Sequence, residues 1–206
     1  MVSADSHLAV LRASLSELHV LSDAAWADAM PRFSYQLFPA GAHIVEAGHI
    51  VTDLYFQTSG LARFYYLHQS GKEFNKSFST KGQVISSVAS LVSGQPSAFY
   101  VQALASCECL ALSYQDLLML AEQHRDWNTL TVRLLEQLAI KKERREADFL
   151  LLSATEHYEN FLQDYAHIVN SIANYHIASY LGITEVALSR IRRRLKLTQV
   201  NASANG

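Results

Sequence analysis

The stretch from Asn174 to Leu195 constrains the fold more than any other, because it meets the geometric requirements of two short helices joined by a tight turn. A small residue, Ala178, is available where the two helices would cross. Four residues later, Gly182 can supply the left-handed conformation that the turn needs, and Thr184 offers an N-cap for the second helix. Apolar side chains occupy the positions that bury the crossing, namely Ile177, Leu181, Ile183, Leu188 and Ile191. The stretch therefore predicts a helix-turn-helix.

The second of these helices has a polar and mostly cationic outer face that a purely structural hairpin does not need. Residues 184–196 hold five Lys and Arg against one acidic residue, whereas residues 1–155 hold 12 Lys and Arg against 15 Asp and Glu. A short basic patch on an otherwise acidic protein is typical of contacts with phosphate. The pattern predicts a DNA-binding surface formed by Thr184, Glu185, Val186, Ser189, Arg190, Arg192, Arg193 and Arg194.

The position of each residue along this helix indicates its part in recognition. The N-terminal residues of such a helix lie against base edges in the major groove. There Glu185 could accept from a cytosine amino group and Arg190 could bind guanine through two hydrogen bonds. Thr184 and Arg192 to Arg194 are better placed for phosphates, which position the protein without specifying sequence. The expected partner is a double-stranded DNA operator, and the expected protein class is a transcription regulator.

The rest of the chain predicts an α+β protein of three segments. Six of the eight glycines fall between residues 41 and 94, mostly 11 or 12 residues apart, as turn residues between short apolar strands. That spacing is typical of a β-barrel or sandwich. We expect a β-domain over residues 1–127, with helical turns around residues 8–30, then a helix over 128–152, and a helix-turn-helix domain over 153–206. Ser153 and Glu156 have the spacing of a capping box at the start of the last segment.

The helix predicted over residues 128–152 contains no Gly or Pro, and Leu130, Leu134 and Leu138 lie near one stripe of it. Its middle, residues 141–146, is charged on all sides. A dimeric regulator binds an operator of two half-sites, and its two DNA-binding helices must be held about one helical turn of DNA apart. We therefore expect the protein to be a homodimer that is held together by this helix.

Other features indicate neither an enzyme nor a metal or cofactor site. Cys107 and Cys109 point to the same side of a predicted strand and are expected to be buried. Two cysteines are too few for a disulfide framework and suit the cytoplasm. The trio His43, Glu46 and His49 could resemble metal ligands, but strand alternation would place Glu46 opposite both histidines. No stretch is long and apolar enough for a membrane span. Two alternatives remain: a β-roll protein whose C-terminal helices contact another protein without DNA, and an enzyme.

Four segments, spread over residues 30–196, resemble the Crp–Fnr family of transcription regulators: FPAGAHIVEAG, DLYFQTSGLARFYYLHQSGKE, LSYQDLLML and IASYLGITEVALSRIRRRL. The resemblance implies an N-terminal double-stranded β-helix or jelly roll (a cyclic-nucleotide-binding-like β-roll), a long dimerisation helix and a C-terminal helix-turn-helix domain. It also implies that Arg190 reads a base and that Glu185 and Val186 occupy two other reader positions. RNA polymerase is a further expected partner. The family usually has glutamate where this chain has Val186.

The chain departs from the cyclic-AMP-binding members of that family at the phosphate cassette. In those members a glutamate accepts from the ribose hydroxyl and an arginine neutralises the cyclic phosphate. Here Ser87 and Ser97 stand at the matching positions. An anion that loses its charge partner in a partly desolvated pocket loses about 1.5–3 kcal/mol of binding free energy. We therefore expect an unknown small-molecule effector other than cyclic AMP, or none, with a candidate pocket at Ser86, Ser87, Ser97 and Ala98.

Overall fold

The computed structural model describes the backbone of residues 4–204 and the side chains of residues 6–196, and the chain divides into two compact units. The first unit comprises residues 1–67 and 76–140, and the second comprises residues 68–75 and 141–206. The strands are β1 Ser34–Phe38, β2 His43–Val45, β3 Asp53–Leu67, β4 Glu73–Thr80, β5 Val84–Ile85 and β6 Tyr100–Ser113. The helices are α1 Ala4–Ser16, α2 Asp23–Ala29, α3 Val88–Ser93, α4 Tyr114–Gln123, α5 Arg125–Leu151, α6 Ala154–Asp164, α7 Asn174–Leu181 and α8 Glu185–Ala204. The predicted α+β class is confirmed.

Strands β1, β2 and β3 each pair antiparallel with β6, and β5 pairs antiparallel with β3. The central strands β3 and β6 are much longer than the short strands that the sequence predicts. The strand order is β1-β6-β3-β4, with β2 also pairing with β6 and β5 with β3. Strand β3 continues through Gly60 for 15 residues, and β6 is 14 residues long. The pairing of β3 with β6 shifts register between Gln57 and Ala62, so a bulge, rather than a turn, separates the halves of each strand.

Gly60 lies in this bulge, so the prediction that it is a turn residue is wrong. Its φ angle is +92°, and a Cβ atom at this position would lie 2.2 Å from the carbonyl oxygen of Ser106 on the facing strand. Only glycine avoids both the unfavourable φ angle and the clash. The spacing of the glycines correctly indicated a β-domain, but it could not distinguish a bulge from a turn.

Two apolar clusters lie in the described part of the first unit. One unites α1, α2, α4 and the start of α5 with β3 and β6, and at its centre Trp127 donates a hydrogen bond to the carbonyl oxygen of Ala25 at 3.0 Å. The other, built from the strands, includes Cys107 and Cys109, which are both fully buried. Burial raises the pKa of Cys107 to about 11 and that of Cys109 to about 12. Both thiols are therefore protonated near neutral pH, and the prediction that they act as small buried hydrophobes is confirmed.

Helix α5 begins three residues before the predicted helix and ends one residue before its predicted end. Leu130 is fully buried, and Leu134 packs against the first apolar cluster. The face about half a turn away carries Val132 and Leu135, which are 46% and 48% exposed. Two leucines of the predicted stripe, Leu130 and Leu134, thus pack within the chain, and a different apolar face of the helix is exposed.

The second unit contains the predicted C-terminal helices together with residues 68–75. Helix α6 begins with the predicted capping box, in which the side chains of Ser153 and Glu156 each accept from the other residue's backbone N–H. Phe161, Tyr165 and Tyr180 form an aromatic core, with ring centroids 5.0–5.8 Å apart. Each of these rings is buried. The second unit therefore has its own aromatic core.

Candidate nucleic-acid interface

The turn between α7 and α8 has the geometry that the sequence predicted. Gly182 adopts the left-handed conformation, with φ of +71°, and its N–H donates to the carbonyl oxygen of Ser179 at 3.3 Å. The N–H of Ile183 reaches back to Ala178 at 3.0 Å. These two bonds are the pair that defines a Schellman motif, which ends a helix and redirects the chain. Ala178, at the predicted crossing point, is only 2% exposed.

Helix α8 starts immediately after the predicted N-cap. The Thr184 hydroxyl accepts from the backbone N–H of Ala187 at 3.2 Å, so it satisfies one of the free donors of the first turn. Leu188 and Ile191 then bury the inner face of the helix. Because the cap and the buried face hold the first two turns, the side chains on the outer face project from a rigid backbone.

The outer face of these turns is exposed and polar except at one position. Glu185, Ser189, Arg190 and Arg193 are all exposed. Within residues 6–196, where side chains are described, Arg190 and Arg193 have no hydrogen-bond or ion-pair partner. Val186 is the apolar exception, with 62% of its surface exposed. Two unpaired guanidinium groups on a capped helix are available to bind an anionic partner.

Arg192 and Arg194 differ from these two arginines because they contact other side chains of the second unit. Arg192 donates to the hydroxyl of Tyr158 at 2.8 Å and to the side-chain oxygen of Asn174. Arg194 donates to the hydroxyl of Thr155. Both arginines tie α8 to helices earlier in the unit, a structural role that their cationic pattern did not indicate. Their predicted contacts with phosphate stay a prediction.

The N-terminal half of α8 and the first residue of α7 border a concave surface, which encloses a volume of about 430 Å³. Its lining residues are Asn174, Glu185, Val186, Leu188, Ser189, Arg190 and Arg192. Five of the eight predicted DNA-binding residues are thus brought to one surface. Asn174 was not among the predicted contacts. Its position as the first residue of α7 is the one signal in the sequence that could have identified it.

The position of α7 depends on residues that the sequence did not single out. The N–H of Asn75 donates to the Ser179 hydroxyl at 3.0 Å, and its side-chain amide donates to the carbonyl oxygen of His176 at 2.9 Å. Arg145 donates to the carbonyl oxygen of Tyr180 at 2.9 Å, and its guanidinium group lies 3.8 Å from the centre of that ring. A cation at the end of a helix interacts favourably with its dipole. These contacts hold α7 at His176, Ser179 and Tyr180.

A buried histidine lies next to this cation in the second unit. His157 is 4% exposed and lies against the ring of Tyr180, with centroids 5.6 Å apart. Burial, and secondarily the positive charge of Arg145, lowers the pKa of His157 below its ordinary value of 6.5, while Asp148 acts in the opposite direction. The imidazole is therefore neutral in the folded protein at neutral pH.

We expect the free energy of unfolding to fall as the pH drops below about 6.5, because the unfolded chain then takes up a proton that His157 in the folded chain resists. His157→Phe keeps an aromatic ring but cannot titrate, so its stability should change less between pH 7 and pH 5. Chemical denaturation at several pH values measures this difference, and His167→Phe, at an exposed histidine, is the control. Parallel profiles for His157→Phe and wild type would contradict the assignment.

The four residues of the candidate effector pocket lie in the first unit, and two of them donate hydrogen bonds to backbone carbonyl oxygens. The Ser97 hydroxyl donates to the carbonyl oxygen of Phe99 at 2.9 Å, and Ser86 donates to that of Asp53 at 2.9 Å. The Ser87 hydroxyl is buried without a hydrogen-bond partner among the described residues, whereas Ala98 is exposed. None of the four side chains carries a charge.

The trio of possible metal ligands is placed differently from the expectation. Strand β2 ends at Val45, so alternation along a strand does not apply to Glu46 and His49, and these two side chains approach to 3.6 Å. His43 instead bonds to the hydroxyl of Tyr65 at 2.9 Å. Among the residues that the structure describes, no group of three or more His, Cys, Asp or Glu could hold a metal ion. Nor is any helix in that part of the chain suited to crossing a membrane.

Comparison with known proteins agrees with this architecture. The family model of the cyclic nucleotide-binding domain matches residues 35–124. No curated protein sequence matches the chain. The structure is similar to that of FixK2 from Bradyrhizobium japonicum, with a TM-score of 0.70 and 18% identity over 81% of this chain and 86% of that one.

Two further solved structures share the fold. The catabolite activator protein of Thermus thermophilus is 22% identical over 91% of this chain and 88% of that one, with a TM-score of 0.56. A protein from Eubacterium rectale, assigned as a transcriptional regulator of the Crp/Fnr family, has a TM-score of 0.67 and 16% identity over 86% of this chain and 85% of that one. Residues 35–124 are therefore similar to the cyclic nucleotide-binding domain, and the chain shares the fold of these three solved structures.

Proposed function

We propose that this protein is a sequence-specific DNA-binding transcription regulator of the Crp–Fnr type, acting in the cytoplasm as a homodimer. The observation that carries the proposal is the capped, exposed N-terminal half of α8, where Arg190 and Arg193 have no partner within the described side chains. A rigid helix that presents unpaired cations beside Glu185 and Ser189 matches what the major groove requires. The resemblance to proteins described as a catabolite activator and a transcriptional regulator supports the same function.

Dimerisation of the proposed regulator is supported by the free apolar face of α5. Val132, Leu135 and Ala139 are exposed and follow one another at spacings of three and four residues, as at a seam between two helices. The charged residues 141–146 interrupt this seam. Contact with RNA polymerase is a further part of the proposal, carried over from the resemblance.

Contact with another protein, without DNA, is the alternative function, and the exposed apolar side chains of Tyr175 and Val186 favour it. The two functions differ in their dependence on salt. Neutralised phosphates release counterions, so the logarithm of the DNA-binding constant falls with the logarithm of the salt concentration by about 0.9 per phosphate contact. We expect a steep slope for wild type on a mixed-sequence duplex, and a shallower one for Arg190→Ala combined with Arg193→Ala. No binding at about 50 mM salt would favour the protein-contact alternative.

We further propose that the regulator responds to a signal other than cyclic AMP, or acts without a ligand. Ser87 and Ser97 offer no charge to a cyclic phosphate, and the Ser97 hydroxyl is already bonded to the backbone of its own chain. Cyclic AMP is therefore expected to leave the melting temperature unchanged at micromolar concentration. A ligand at 100 times its dissociation constant would stabilise the fold by about 2.7 kcal/mol. A saturable increase in melting temperature with cyclic AMP would contradict this proposal.

A further inference from the structure

The exposed valine at the start of α8 lies where the proposed function places contacts with base edges. Val186 is the second residue of the helix, and 62% of its surface is exposed. It lines the same concave surface as Glu185, Ser189 and Arg190. The other exposed residues that line this surface are polar, so within the proposed contact Val186 can match only an apolar group of the partner.

The major groove displays one prominent apolar group, the C5-methyl group of thymine. Valine has no hydrogen-bond donor or acceptor, so it cannot read the oxygen, nitrogen or amino groups of the other bases. The carboxylate of Glu185, one residue away, is unfavourable next to the acceptor atoms of guanine. These two properties together favour a thymine methyl group opposite Val186.

Resting on the proposed function, we infer that Val186 recognises the C5-methyl group of a thymine, and that each operator half-site contains one thymine selected by this contact. Burial of one methyl group stabilises a complex by about 0.8 kcal/mol, which corresponds to about four-fold in affinity. Because a dimer contacts two half-sites, the two contacts together change the affinity by roughly 15-fold. Val186 therefore sets part of the operator sequence through the shape and hydrophobicity of a base rather than through a hydrogen bond.

The test replaces thymine with deoxyuridine, which lacks only the methyl group. An operator is first selected from a random duplex pool with the full chain, and each thymine of a half-site is then replaced in turn. We expect one position to lose about four-fold in affinity per half-site for wild type, and none to do so for Val186→Ala. Val20→Ala, at an equally exposed valine between α1 and α2, is the matched variant and should keep the sensitivity of wild type. At that same position, 5-methylcytosine should bind better than cytosine.

Each outcome decides the inference. A methyl-sensitive position that disappears in Val186→Ala supports it. Sensitivity that persists in Val186→Ala, or an operator in which every thymine can be replaced without loss, overturns it while leaving the proposed function intact. If no duplex is enriched from the pool, the proposed function itself fails, and this inference fails with it.

Discussion

Arg190→Ala is expected to remove the discrimination between operator and random DNA, whereas Arg193→Ala should weaken binding to both about equally. Arg190 lies near the end of the second turn of α8, in the half of the helix that the proposed function places against base edges. Arg193 is exposed one turn later, where the helix would leave the groove and meet phosphates. Both side chains are exposed, so neither substitution should disturb the fold.

The expected magnitudes separate the two arginines. A lost bidentate contact with guanine costs about 1–3 kcal/mol per half-site, roughly 5- to 150-fold, and only on the operator. A lost phosphate contact lowers the salt slope by about one on every sequence. Fluorescence anisotropy titrations of both variants, at several salt concentrations on operator and on scrambled duplex, measure both effects. Equal losses for the two variants on both duplexes would overturn Arg190 as a base reader.

Charge placed on the apolar face of α5 should have the other large effect. Glutamate at both Val132 and Leu135 would put like charges into the proposed seam between two protomers, which is strongly unfavourable when desolvated. We expect the double variant to be a monomer at micromolar concentration. Its affinity for a two-half-site operator should fall by about 10²- to 10⁴-fold, because the second half-site is no longer bound at a high effective concentration.

Analytical ultracentrifugation and operator titration together test this prediction. Gln137→Glu is the matched control, because Gln137 is exposed and lies about 140° around the helix from Val132. It should remain dimeric and bind as wild type does. A double variant that stays dimeric, or a wild-type chain that is monomeric at tens of micromolar, would contradict the proposed seam.

The sequence predicted most where local chemistry determines local geometry. Gly182 and Thr184 end one helix and start the next through their own backbone and side-chain bonds, so the turn could be predicted residue by residue. The capping box is another example, because its two residues, Ser153 and Glu156, are only three positions apart in the sequence. Spacing along the chain carries all of the information that such motifs require.

Features that depend on residues distant in sequence could not be predicted in the same way. Glycine is typical of turns, and the sequence around Gly60 predicts one. Gly60 instead lies in a bulge, which forms because β6 pairs with β3 across the sheet. Arg192 and Arg194 share the charge of Arg190, and only the folded unit shows that they bond to Tyr158 and Thr155. Asn75 holds α7 through hydrogen bonds to residues about a hundred positions later in the chain. A periodic pattern indicates which face is polar, but it does not indicate which polar side chains remain free.

Selection of binding sites from a random duplex pool tests sequence-specific DNA recognition most directly. The full chain should enrich an inverted repeat whose two half-sites are centred about one helical turn apart, because a dimer presents two copies of α8 related by a two-fold axis. The enriched duplex should bind at least about 10³-fold more tightly than a scrambled one at physiological salt. A pool that remains random after repeated selection, or an enriched sequence that binds no better than its scrambled version, would contradict the proposed function.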